Sequence, residues 1–221
     1  MSRKTFNHKL VPVFNLERTE VEGVRYYVLP DGITKVKSVT TLLSEKLDKT
    51  ALLEWKARVG EEEAAKVSVQ AARRGTAVHA IAEKYVLNED HPYKGQMPIN
   101  IESFKPLKQE LDEHVDNILG VELPLHSKAL KCAGTTDLVA QYDGVTSIID
   151  FKTSKRLKEP EWIENYFLQS TIYSMMFENL YKIHVPQIVI MITVDNELRP
   201  QTFVRERAQY VNRVIELLTT I

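Results

Sequence analysis

Asp137, Asp150 and Lys152 flank a central Asp143-Gly144 pair, with runs rich in Val, Ile, Thr and Tyr on both sides. Asp-Gly between such runs signals a two-residue type I′ hairpin turn. With that loop length Tyr142 faces Val145, and counting outward sets Asp137 opposite Asp150. Alternation puts Lys152 on the same face, two residues further along. Directly opposed side chains stand about 5 Å apart at Cβ, where like charges repel, so the pair calls for a cation. Asp150 also ends a run, Ile148-Ile149, that reads as a buried strand, and an acid held there is costly unless something binds it. Two carboxylates and the backbone carbonyl of Phe151 make an oxygen-rich site suited to Mg2+ or Mn2+. Lys152 is then placed to orient or deprotonate a water, or to steady charge on a phosphate. The bland alternative is a surface salt-bridge group of little energetic consequence.

Gly134-Thr135-Thr136-Asp137, twelve intervening residues, then Asp150-Phe151-Lys152-Thr153-Ser154 resembles the signature of the PD-(D/E)xK nucleases in its RecB-like form. Thr136 stands where the family name has Pro, but Gly-x-x-Asp is common in RecB-like members. The resemblance implies a restriction-endonuclease-like fold and metal-dependent hydrolysis of DNA. Gly75-Thr76-x-x-His79 matches a motif whose histidine binds the metal, so the implied ligands are His79, Asp137, Asp150 and the Phe151 carbonyl. Glu83 lies one helical turn beyond His79 and is expected to support it or the helix. Gln169 and Tyr173 match a Q-x-x-x-Y pattern that holds the active site and the DNA backbone. Glu122 resembles an acid preceding the first Asp, with an edge-strand charge as its alternative. Arg74, Thr76, Ser38, Thr153 and Lys155, beside Gln169 and Tyr173, are the expected nucleic-acid contacts. Arg73, Arg156 and Lys158 also flank the site. Each has an ordinary reading too: a solvated or core histidine, a buried Gln/Tyr packing contact, solvated surface cations. The segment from Ser38-Val39-Thr40 through Leu52–Trp55 to Gln70 is similar to the mitochondrial genome maintenance exonucleases and their phage relatives. It implies a helical arch over the site that admits a single strand, where Trp55 stacks on a base or sits in the core.

Positioning these residues requires strands for the acids and helices for His79 and Gln169. Strands are expected at Arg25–Leu29, Val36–Leu42, Gly120–Leu125, Lys128–Leu130, Thr135–Tyr142, Val145–Lys152, Gln187–Val194 and Gln201–Arg205. Helices are expected from Asp48 or Thr50 through Ala72, from Thr76 to Leu87 after a break at Gly75, and over Ser103–Leu119, Pro160–Ile183 and Ala208–Thr219. That order describes an α/β fold in which helices flank a mixed central sheet. One domain over 1–221 is expected, with N-terminal strands and helical arch at 1–74 and the catalytic core at 75–221.

Composition narrows the rest. The 29 Lys and Arg against 30 Asp and Glu give a formal charge of −1, so a polyanion surface has to come from local clustering. The single Cys132 excludes a disulfide framework and a cysteine metal site, and reads as a half-buried strand residue. No stretch reads as a signal core or a membrane span, so a cytoplasmic protein is expected, in the host cytoplasm if phage-encoded. Without a G-x-x-x-x-G-K-[ST] loop, opened DNA or ends have to arrive from elsewhere, with a helicase, polymerase or recombinase as partner, in recombination, repair or genome processing. The expected activity is an exonuclease acting from single-stranded DNA ends. A structure-specific or restriction-type endonuclease, and a non-catalytic nucleic-acid-binding module, are the alternatives. A carboxylate-pair glycosidase requires neither the lysine nor the histidine.

Overall fold

The computed structural model describes residues 4–219. In chain order the strands are β1 (Glu17–Val21), β2 (Val24–Val28), β3 (Lys35–Ser38), β4 (Val115–Ser127), β5 (Cys132–Tyr142), β6 (Val145–Ser154), β7 (Gln187–Val194) and β8 (Gln201–Glu206). The helices are α1 (Val39–Lys46), α2 (Thr50–Val59), α3 (Glu61–Val86), α4 (Pro98–His114), α5 (Glu164–Tyr181), preceded by a 3-10 turn at Pro160–Ile163, and α6 (Ala208–Thr219). All eight strands join one mixed sheet. Phe167, Leu168, Ile172, Met176 and Phe177 of α5 are buried on one face with Val139, Ile148 and Ile190. Val78, Ile81 and Tyr85 of α3 and Phe104, Leu107 and Leu111 of α4 cover the other, with Leu138, Ile149 and Met191. The runs of β6 and β7 are continuously apolar because both faces are covered.

The Asp143-Gly144 turn forms as its residue types require. Both residues have positive φ, 50° and 79°, the type I′ geometry that Gly and Asp tolerate, and Tyr142 pairs with Val145. Pairing continues outward to Leu138 opposite Ile149, so Asp137 and Asp150 face each other one step beyond. There the sheet forks. β4 runs antiparallel along the whole length of β5, so β6 and β3 share its other edge. β6 lies beside Leu138–Tyr142, and β3 pairs in parallel with Cys132 and Ala133. Gly134 to Asp137 lie in the gap between the two.

Several expected elements differ. The strand over Val36–Leu42 ends at Ser38, where α1 begins, because the Ser38 Oγ accepts the Thr41 backbone N–H at 3.0 Å and caps the helix. Gly75 breaks nothing: α3 runs through it, since one glycine costs a packed helix only about 1 kcal/mol. The division at 74/75 therefore falls inside a helix. The helix expected over Ser103–Leu119 starts at Pro98, a favoured first-turn position, and gives way to β4 at Val115. Lys128–Leu130 form a turn rather than a strand. Cys132 is fully buried, not half-buried. Along the outer side of β4, Lys9 and Val11 donate backbone N–H groups to the carbonyls of Ile118 and Leu119, 2.8 Å each, covering an edge just upstream of Glu122.

Candidate metal centre

Phe151 lies just past the last paired residues of β5 and β6, where its backbone groups face the fork. Its N–H donates to Asp137 Oδ2 at 2.7 Å, and its carbonyl accepts from His79 Nε2 at 2.7 Å. Two side chains thus complete a ladder that the backbone of β5 no longer supplies. The same bonds fix the remaining atoms: Asp137 Oδ1 lies 3.3 Å from His79 Nδ1, and Glu122 Oε1 lies 4.0 Å from that nitrogen. Among the described residues, His79, Glu122 and Asp137 offer ligand atoms all within 4.8 Å of one another.

Glu122 reaches this group through an irregular backbone. Val121 pairs with Leu138 and Leu123 with Thr136, which leaves Glu122 opposite Asp137 with a φ of +43°. A non-glycine residue in the left-handed region costs about 1–3 kcal/mol and persists only where its surroundings impose it. Glu122, Asp137 and Asp150 consequently form a row of carboxylates across three adjacent strands. Sequence reasoning ranked Glu122 below the two aspartates, and the β4 register that aligns it has no motif of its own.

The charges reflect this crowding. Burial and the neighbouring Asp137 push the Glu122 carboxyl up to about 7. Burial also pushes Asp150 up to about 6, with Lys152 opposing and Asp137 adding to the effect. Asp137 is half-buried, and its desolvation works in the same direction, yet its bond to His79 and the charges of His79 and Lys152 hold it below the ordinary carboxylate value. His79 resists the loss of charge that burial favours, because Asp137 holds its imidazolium, up to about 9. With Nε2–H committed to a carbonyl, the proton on Nδ1 stands between two carboxylates where a cation would be held. The donor set, one imidazole and hard carboxylates with surplus negative charge, fits a divalent ion.

The other expected residues divide clearly. Lys152 Nζ pairs with Asp150 Oδ2 and lies 5.0 Å from the Tyr166 ring centroid, within cation–π range. Burial works against its charge, but Asp150 and Asp137 keep its proton on more firmly than usual. Asp150 lies outside the three-residue ligand group, and the Phe151 carbonyl expected as a ligand is engaged by His79. Gln169 Nε2 is 3.4 Å from the Tyr173 hydroxyl, and Tyr173 packs against Gly134, where a Cβ would fall 2.6 Å from that hydroxyl. The glycine of Gly-x-x-Asp is thus a space left for Tyr173. Thr76 and Glu83 line a cavity of about 720 Å3 with Ala72, Gly75, Ala80, His79 and Glu122, the open side of the centre. Thr153 lies against Gly75, and Lys155 is exposed. Arg74 is held by Asp195 in an ion pair. Ser38, expected at a strand contact, is 2% exposed and occupied by its cap. Trp55 is half-buried, and no side chain of α2 is buried, so the core alternative for that tryptophan does not hold. Sequence reasoning passed over Tyr166, although its spacing from Gln169 and Tyr173 puts all three on one helical face.

No family model matches the chain. It is similar to the mouse (Mus musculus) protein Mitochondrial genome maintenance exonuclease 1, 28% identical in an alignment 165 residues long that covers 66% of this chain and 46% of that protein. The chain thus spans less than half the length of that relative. A solved structure titled "Crystal structure of SSO0001" aligns with a TM-score of 0.35 at 14% identity, over 75% of this chain and 68% of that one. Among the described residues no helix is long and apolar enough to cross a membrane. The similarity to a named exonuclease supports a nuclease relationship for this chain.

Proposed function

We propose that the chain is a metal-dependent DNA exonuclease of the RecB-like PD-(D/E)xK type, degrading from single-stranded ends in recombination, repair or genome processing. The observation that carries this reading is the carboxylate row Glu122, Asp137 and Asp150 with a half-buried lysine paired to it. His79, Glu122 and Asp137 would hold Mg2+ or Mn2+, with Asp150 alongside. A divalent ion in such a site supplies a Lewis acid for the phosphate and lowers the pKa of bound water. Asp137 is pinned through Oδ2 by the Phe151 N–H, which leaves Oδ1 facing His79. His79 is oriented by the Phe151 carbonyl through its other nitrogen, the usual support for a ligating imidazole. Lys152, kept protonated by its acidic neighbours, acts as a fixed cation against charge developing on the phosphate rather than as a base. Gln169 and Tyr173 support the strand from α5.

The test is digestion of end-labelled linear and circular single strands with Mg2+, Mn2+ or chelator. Metal-dependent shortening of linear strands only, abolished by Asp137→Asn, is expected. Cutting of circles would replace the exonuclease with an endonuclease, and binding without hydrolysis in either metal would leave only a binding module.

A further inference from the structure

We infer that the groove between the α1–α2 corner and the start of α5 binds unpaired nucleobases of the strand whose phosphate lies at the carboxylate row, an inference resting on the nuclease reading above. The groove has a volume of about 650 Å3, and its lining includes Leu43, Leu47, Leu52, Trp162, Tyr166 and Gln169. Its inner end is continuous with the centre: Tyr166 lies over the Lys152 ammonium at 5.0 Å, and Gln169 touches the Tyr173 hydroxyl.

Trp162 is 69% exposed, far from the average for a side chain that is mostly buried in folded proteins. The 3-10 turn explains the exposure. Its next residue, Ile163, is 1% exposed and anchors the turn in the core, so Trp162 is presented outward as a rigid indole at the groove. Leu52, 48% exposed, contributes apolar surface from α2, and no side chain of α2 is buried.

Charge decides which part of a strand fits. Asp48, Glu161 and Glu164 line the groove against a single Lys49, an arrangement that repels phosphates. Carboxylates accept hydrogen bonds from exocyclic amino groups of bases, and aromatic faces stack on any base. The cations suited to the backbone lie elsewhere, at Lys152 and at the exposed Lys155 and Arg156. Bases in the groove and phosphates outside it is therefore the complementary placement. A paired base is stacked within its duplex with its Watson–Crick edge covered, so the groove accepts unpaired strands.

Trp55 and Trp162 are the two tryptophans of the chain, so Trp55→Phe leaves an emission that reports on Trp162. With chelator present, a short oligodeoxycytidylate, whose bases carry the exocyclic amino group, should quench this emission, whereas an abasic strand of equal length and a blunt duplex should not. Trp162→Ala, at an exposed position, should fold as judged by circular dichroism and raise KM for single-stranded DNA about ten-fold with kcat unchanged. Equal quenching by the abasic strand, or no response to any oligonucleotide, as from a groove built for a basic peptide, would overturn the inference. Selective quenching without hydrolysis in Mg2+ or Mn2+ would keep the groove and remove the nuclease reading. Hydrolysis with unmoved emission and an unmoved KM in Trp162→Ala would do the reverse.

Discussion

Gly134→Ala tests the physical origin of the Gly-x-x-Asp spacing. The added methyl would lie 2.6 Å from the Tyr173 hydroxyl oxygen, 3.0 Å from its Cε1 and 3.2 Å from its Cζ. Rotating the hydroxyl cannot relieve contacts to ring carbons, and Tyr173 is only 3% exposed within the core beneath α5. The ring, the Gln169 contact or the β5 backbone has to move. Overpacking of this kind costs about 1–3 kcal/mol. For a chain of this size each kcal/mol lowers Tm by about 2–4 °C, so a loss of about 2–12 °C is expected. Thermal melts of Gly134→Ala, Tyr173→Phe and the double variant form a mutant cycle, read where unfolding is reversible and two-state. Tyr173→Phe removes the 2.6 Å contact and leaves the 3.0 Å one, so the glycine substitution should cost less in that background by about 0.5 kcal/mol or more. Nuclease turnover should fall in Gly134→Ala and recover only partly in the double variant, since Gln169 keeps no hydroxyl partner. An equal cost in both backgrounds, or a wild-type melting temperature for Gly134→Ala, would refute the argument that the glycine makes room for Tyr173.

Glu122→Gly should melt above Glu122→Ala by about 1 kcal/mol, because glycine relieves the positive φ that alanine keeps; both should show a reduced Tm increase with Mn2+, and an alanine variant equal to the glycine one would remove the strain. At pH 7, Mn2+ should displace about one proton from His79 and about half a proton from Glu122, measured by calorimetry in buffers of different ionisation enthalpy; no buffer dependence would exclude His79 as a ligand. Because the His79 pKa is raised by folding, its contribution to metal-free stability is present below about pH 6.5 and is lost as pH rises through about 9, so that part of the melting profile should flatten once Mn2+ replaces the proton. Lys152→Ala should abolish cleavage and retain metal affinity in the same calorimetry, and unchanged turnover would remove the lysine from the mechanism.

The parts of the centre that were readable in the sequence are those set by local rules. A two-residue loop fixes the β5–β6 register, so the opposition of Asp137 and Asp150 follows from Asp143 and Gly144 alone. Val36–Leu42 misled because Val, Thr and Leu suit a strand, whereas the deciding interaction is one hydroxyl, Ser38 Oγ, capping α1. Gly75 reads as a break because glycine is a poor helix former, whereas the packing of Val78, Ile81 and Ala82 holds the helix through it. Glu122 was the hardest to rank, since its place depends on a β4 register that shifts between Asp116 and Gly120 and is pinned at Ile118 and Leu119 by residues far away in sequence. An irregularity of this kind slides every later residue of β4 along β5, and only the tertiary pairing reveals how far. The third carboxylate, and the left-handed backbone that supports it, are therefore properties of the sheet rather than of any motif. Glu122 is accordingly the position at which a change of backbone preference and a change of charge should give separable effects.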